Sequence, residues 1–355
     1  MKILIIAPSW VGDMVMSQSL YITLKQQNPS CELHVMAPRW CLPLLARMPE
    51  VDRAIEMPLG HGDFALSTRW KIGRTLKNEL YDQAIVLPNS LKSALIPLFA
   101  GIPIRTGWKG ESRYGFLNDL RGNKLDFPLM VERYIALAFP KEQMSQASAI
   151  PSIPYPGLQT KTEDQQNAII KHGLSNARPI LGLCPGAEFG PAKRWPESYY
   201  SEIAKRWIEQ NNGQVWIFGS AKDVETAEKI KSFLPADQQT KCNILAGRTS
   251  LTEAVDLLAS CDSVVSNDSG LMHIAAAVKT PLVAVYGSTS PTYTPPLSDT
   301  VQIVHTEIEC RPCFKRECPL KHLNCLNQLQ PDQVWQSIQQ LPFKNKITTQ
   351  GKTNA

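Results

Sequence analysis

Apolar runs of four to six residues alternate along this chain with longer stretches in which apolar positions recur every three or four residues. Residues 2–7 form the first run, and in residues 14–24 Met16, Leu20 and Leu24 share one helical face. Strands follow at 32–37, 53–57 and 83–87, with a helix at 70–80. A strand that returns to its own sheet through a helix makes a right-handed crossover, so the pattern predicts a mainly parallel sheet. Between 139 and 160 the alternation lapses into a connection that carries Pro140, Pro151, Pro154 and Pro156. It then resumes, with strands expected at 180–184, 214–218, 243–245, 263–266, 282–286 and 301–305. Helices are expected at 197–209, 222–233, 251–260 and 270–278. Ser250 and Glu253 form a capping-box pair that fixes one helix start.

The expected organisation is an α/β domain over 1–150, a linker over 151–175, a second α/β domain over 176–330, a helix over 331–344 and a polar, disordered tail over 345–355. Two doubly wound domains facing each other across a cleft are the predicted fold, with ligands beyond the carboxyl ends of the strands.

Composition narrows the class. With 43% hydrophobic and 19% charged residues the chain is an ordinary globular protein, and no apolar run nears the roughly 20 residues that span a bilayer. The N-terminal apolar run is shorter than a signal-peptide core and meets Pro8, Gly12 and Asp13 at once, so it reads as a strand and the protein as cytoplasmic. Neither a GxGxxG fingerprint nor a GxxxxGK[ST] loop is present, which removes support for a dinucleotide oxidoreductase or a P-loop ATPase. Nine cysteines without an export signal are expected as thiols. Cys310, Cys313, Cys318 and Cys325 cluster, but only the first pair has zinc-ligand spacing, so a reduced cluster is favoured and no metal is assigned.

The net charge of +5 is unevenly placed: Lys92, Arg105, Lys109, Arg113, Arg121 and Lys124 face only Glu111 and Asp119 within 92–124. Trp108, Tyr114 and Phe116 are interleaved with them, a composition that suits an anionic glycolipid, a membrane surface or nucleic acid as well as it suits a solvated surface.

Three loops after strand ends carry candidate chemistry. The sharpest runs from Asn267 to His273, where a strand ends in Asn-Asp-Ser and a helix starts at Gly270. Unpaired N–H groups and the helix dipole favour a phosphate there, although an ordinary helix cap with a buried histidine has the same pattern. A second loop, 184–196, brings Gly186, Gly190 and the adjacent cations Lys193 and Arg194, a set suited to a diphosphate. In the third, Gly12 allows a tight turn and presents Asp13 at a helix start, as a cap or as a general base toward a hydroxyl. Asp223 after a further strand suits either a ribose diol or the next helix start. With no DxD motif after a strand, charge on a leaving diphosphate falls to Lys193 and the helix dipole.

In sequence order, Trp10-Val11-Gly12-Asp13, Cys184-Pro185-Gly186-Ala187, Lys193-Arg194-Trp195-Pro196, the segment from Asn267 to His273, and Cys310-Arg311-Pro312-Cys313-Phe314 resemble the ADP-heptose:lipopolysaccharide heptosyltransferases of glycosyltransferase family 9, type II in particular. The resemblance covers nearly the whole chain. It implies a GT-B fold, with acceptor bound by the first domain and nucleotide sugar by the second. Heptose is then transferred from ADP-heptose, with inversion, to the first heptose of the lipopolysaccharide inner core. By the same match Asp13 is the general base and Lys193 stabilises the departing ADP. Ser269, Gly270, Leu271 and His273 line the donor site, Asp268 faces the heptose hydroxyls and Asp223 contacts the ribose, where the family more often carries Glu. No cofactor or metal is implied. The partners implied are ADP-heptose and an anionic inner-core acceptor, met at the cytoplasmic face of the inner membrane, with no nucleic acid. A type I enzyme acting on Kdo2-lipid A, another family member with a different sugar, a nucleotide-sugar 2-epimerase and a two-lobed binding protein are the competing readings.

Overall fold

The computed structural model describes residues 1–342 except His61 and Arg178, so the tail expected from 345 lies outside the described residues. The chain divides into two compact units, Met1–Pro156 and Gly157–Ala355.

In the first unit six parallel strands, β1 (Lys2–Ile6), β2 (Glu32–Pro38), β3 (Arg53–Met57), β4 (Gln83–Val86), β5 (Ile104–Trp108) and β6 (Asp119–Arg121), form one sheet in the order β3-β2-β1-β4-β5-β6. The last two strands are absent from the expected set. Arg105 interrupts the apolar run of β5, and β6 is a three-residue edge strand. Both arginines are held by neighbouring groups: Arg105 donates to the carbonyls of Ile102 and Phe116, and Arg121 donates to the Asp119 carboxylate and to the carbonyl of Phe139. Half of the basic stretch from 92 to 124 therefore holds the sheet edge together, because buried Arg113 likewise donates to backbone carbonyls.

The second unit holds β7 (Ile180–Cys184), β8 (Gln214–Ile217), β9 (Cys242–Ile244), β10 (Ser263–Asn267), β11 (Leu282–Val285) and β12 (Val301–Val304), all parallel, in the order β12-β11-β10-β7-β8-β9. Renumbered within the unit, this is the same order as in the first, and both are the doubly wound Rossmann arrangement. Strands β7, β10 and β11 are fully buried, which explains the unbroken apolar runs of β7 and β11, since helices cover both faces of such a sheet; β10 carries Ser263, Ser266 and Asn267 beside its two valines. Leu183, Trp195, Trp207, Val265 and Val283 belong to the core of this unit. The expected cap at Ser250 is present, with the Glu253 N–H donating to the serine hydroxyl. A helix at Thr162–Lys171 occupies part of the stretch read from sequence as a linker. Its buried apolar positions, Ala168 and Ile169, are too few to announce it.

Doubly wound sheets bind ligands where the strand order reverses. In the first unit that point lies between β1 and β4, and in the second between β7 and β10. The loops leaving β1, β7 and β10 are the three selected from sequence.

Candidate active site

In the second unit the loops after β7 and β10 meet at an ion pair. Lys193 ends a short 3-10 turn, Pro191–Lys193, and its Nζ donates to Asp268 Oδ2 at 2.6 Å. Thr289, in the loop after β11, donates its hydroxyl to the same oxygen, also at 2.6 Å. Asp268 is only 4% exposed, so its charge is tolerable because both donors reach it. The Lys193 ammonium also lies 5.0 Å from the centroid of the Phe189 ring, which keeps the cation at the site's edge.

Asn267 is the scaffold beneath this pair. Its Oδ1 accepts from the Trp195 N–H at 3.2 Å and the Tyr200 hydroxyl at 2.9 Å, while its Nδ2 donates to the Pro185 carbonyl at 2.6 Å. One fully buried side chain thus ties the β10 loop to both ends of the β7 loop. Replacing Asn267 with Ala strands three buried polar groups, and the expected loss is about 2–4 kcal/mol of unfolding free energy. Denaturant unfolding measures it; a loss below about 0.5 kcal/mol would contradict the bridging role.

Ser269 takes the N-cap position of the helix Gly270–Ala277 with extended backbone, and its side chain makes no capping hydrogen bond. The first N–H groups of that helix, on Gly270 and Leu271, lack intrahelical acceptors by construction. They lie one and two peptide units beyond Ser269 and next to the Lys193 and Asp268 pair, so an oxyanion there would meet both the dipole and the ammonium.

His273 sits one turn further, buried on the same helix. Burial outweighs the pull of the Asp268 carboxylate and pushes the imidazole down to about 4. The ring is therefore neutral at neutral pH. Its unfolded value is near 6.5, so its contribution to stability is complete above that value and lost as pH falls toward 4. NMR titration of the ring should show a midpoint close to 4, and a midpoint near 6.5 would contradict the buried placement.

Asp223 is placed beside the β7 loop: a Cβ on Gly186 would lie 2.7 Å from its carboxylate. Its Oδ2 accepts from both the N–H and the hydroxyl of Ser220 at 2.8 Å, closing a capping box. Its Oδ1 faces the Arg194 guanidinium at 4.0 Å. Asp13 belongs to the other unit, in the first turn of the helix Val11–Gln27, half-buried after β1.

Sequence reading passed over Thr289, Asn267 as a scaffold, and Arg311. The polar run Gly287-Ser288-Thr289-Ser290 directly after β11 was the available signal. Arg311 donates to the carbonyls of Gly287 and Thr289, and Arg316 comes so close that a Cβ on Gly190 would stand 2.5 Å from its carbonyl oxygen. The cysteine-bearing loop thereby braces the Lys193 and Thr289 loops. Its four cysteines are unbridged thiols, and among the described residues no three His, Cys, Asp or Glu side chains gather into a metal-binding group. No helix of the described residues is long and apolar enough to cross a membrane.

Two doubly wound units, with a cation and a helix N-terminus at the second switch point, suit a ligand that carries a phosphate or diphosphate. Residues 69–324 match the sequence model of glycosyltransferase family 9 (heptosyltransferase), and the chain belongs to that family. It is therefore a glycosyltransferase of the GT-B class. It is 59% identical over 308 residues to lipooligosaccharide heptosyltransferase 2 of Haemophilus influenzae, covering 86% of this chain and 88% of that protein. To lipooligosaccharide heptosyltransferase 2 of Haemophilus ducreyi it is 54% identical, covering 96% and 99%. Among solved structures it is similar to ADP-heptose LPS heptosyltransferase II of E. coli, with a TM-score of 0.87 and 48% identity over 99% of this chain and 100% of that one.

Proposed function

We propose that this chain transfers L-glycero-D-manno-heptose from ADP-heptose to the first heptose of the lipopolysaccharide inner core, with inversion at the anomeric carbon. The observation that carries the reading is the Lys193, Asp268 and Thr289 cluster at the N-terminus of the helix Gly270–Ala277, within a chain 59% identical to a heptosyltransferase 2.

In this scheme the second unit takes the donor. The diphosphate lies against the N–H groups of Gly270 and Leu271 and the Lys193 ammonium, with the Ser269 N-cap beside it. As the bond from the anomeric carbon to the diphosphate oxygen breaks, the leaving ADP gains negative charge. Lys193 and the helix dipole are already oriented to receive it, which lowers the barrier without reorganisation. Asp268 holds Lys193 in place and offers its carboxylate to heptose hydroxyls, neutral His273 adds a hydrogen bond, and Asp223 takes the ribose diol. The first unit takes the acceptor, and Asp13 removes the proton from the attacking hydroxyl as it closes on the anomeric carbon from the opposite side. No cofactor or metal enters the scheme. The acceptor is an anionic glycolipid, so the reaction runs at the cytoplasmic face of the inner membrane through peripheral contact.

A competition separates the type II reading from type I. Given ADP-heptose and equal amounts of Kdo2-lipid A and its mono-heptosylated form, the chain is expected to add heptose to the second only, as read by mass spectrometry. Preferential modification of Kdo2-lipid A overturns the assignment.

A further inference from the structure

The cysteine-bearing loop carries a second cation to the Lys193 cluster. The loop is fastened at three points: Arg311 donates to the carbonyls of Gly287 and Thr289 at 2.9 and 3.1 Å, the Phe314 N–H donates to the Ser288 carbonyl at 2.8 Å, and the Arg316 carbonyl accepts from the Ala192 N–H at 3.1 Å. The backbone of Arg316 is thereby fixed beside the turn that ends in Lys193. Its guanidinium carbon lies 5.5 Å from the centroid of the Phe189 ring, the same ring that has the Lys193 ammonium at 5.0 Å. Two cations from distant segments thus share one aromatic ring.

The cations around that ring are not equally free. Lys193 is paired with Asp268 at 2.6 Å, Arg194 faces Asp223 at 4.0 Å, and Lys222 is paired with Glu188. Arg311 commits its guanidinium to the backbone carbonyls of Gly287, Thr289 and Thr306. Arg316 is exposed, and no hydrogen bond or ion pair of its guanidinium is found among the described residues. A guanidinium stacked on an aromatic face keeps its N–H edges available, and those edges match the oxygens of a phosphate. The fold uses the backbone of Arg316 and leaves its charge unanswered.

We infer that Arg316 binds the sugar-bearing phosphate of the donor, the phosphate whose bond to the sugar breaks, as a second cation beside Lys193. This rests on the reading of the second unit as the nucleotide-sugar domain. Strand order sets which phosphate Arg316 meets. Asp223, the ribose residue of that reading, follows β8 on one side of β7, whereas the segment that carries Arg316 is fastened to the loop after β11, on the far side of β10. A nucleotide laid across the strand ends with its ribose by β8 turns its sugar-bearing phosphate toward β11. The diphosphate gains negative charge there as the sugar leaves. Lys193 meets that charge already partnered by Asp268, while Arg316 brings a charge with no carboxylate in contact.

Calorimetric binding of ADP and of AMP to the full chain, native and with Arg316→Gln or Arg316→Lys, is the test. Arg316→Gln is expected to weaken ADP about tenfold, as loss of one charge-assisted contact does, while AMP, which lacks the second phosphate, stays within about twofold. In turnover of ADP-heptose the same variant should lose about 10- to 100-fold in kcat/KM. Arg316→Lys keeps the charge and should bind ADP within about threefold of native. The guanidinium is exposed, so the melting temperature should not change, whereas an arginine that only braced the loop would lower it and weaken ADP and AMP alike. Native affinity for ADP in Arg316→Gln, an equal loss for ADP and AMP, or an Arg316→Lys loss as large as that of Arg316→Gln overturns the inference. A native chain that binds no ADP overturns the donor reading and the inference with it, whereas a native chain that binds ADP with an indifferent Arg316→Gln overturns the inference alone.

Discussion

Asp13→Asn is expected to cut heptosyl transfer by about 100- to 10,000-fold, the usual contribution of a positioned general base, while the affinity for ADP-heptose stays within about twofold. The substitution keeps the size and the helix-start position of the side chain and removes only its basicity. Asp13 stands in the first turn of the helix Val11–Gln27, and the amide keeps its shape and its hydrogen-bonding oxygen there. Folding should therefore change little and turnover a great deal. Steady-state kinetics with calorimetric donor binding separates the two. Residual turnover above about a tenth of native would remove Asp13 from the base role.

Lys193→Ala is the second large effect. Removing the ammonium takes away the charge that receives the leaving diphosphate, and the expected loss is about 100- to 1,000-fold in kcat. It also leaves Asp268, 4% exposed, with the Thr289 hydroxyl as its remaining side-chain donor, which costs about 3–5 kcal/mol in stability. The double substitution Lys193→Ala with Asp268→Asn separates these consequences. Neutralising the stranded carboxylate should return most of the stability while turnover stays low. If the double variant recovered turnover as well, Lys193 would be acting only as the partner of Asp268.

Much of this arrangement was legible before the fold was seen, and the reasons are specific. Strands β7 and β11 are buried on both faces, so their apolar runs are unbroken and bounded by polar loops. The loops at the reversal points carry Gly186, Lys193, Asp268 and Gly270, whose types state the chemistry of an anion site. What stayed hidden depends on contacts between distant segments. Thr289 gains its role only because β11 lies beside β10, which brings its hydroxyl to Asp268. Asn267 looks like one more polar loop residue until Trp195, Tyr200 and Pro185 converge on it. Strand β5 escaped because Arg105 and Gly107 break its apolar pattern, and its arginine is accommodated by carbonyls that only the folded edge supplies. Read as composition, the 92–124 stretch is a basic surface; folded, Arg105, Arg113 and Arg121 all donate to backbone carbonyls.

The account stands most directly on coupled release of ADP. Purified folded chain given ADP-heptose and mono-heptosylated Kdo2-lipid A should release one ADP for each acceptor molecule that gains a heptose, and ADP release should fall to background when the acceptor is omitted. Consumption of ADP-heptose without acceptor, or no ADP released with both substrates present, would contradict it.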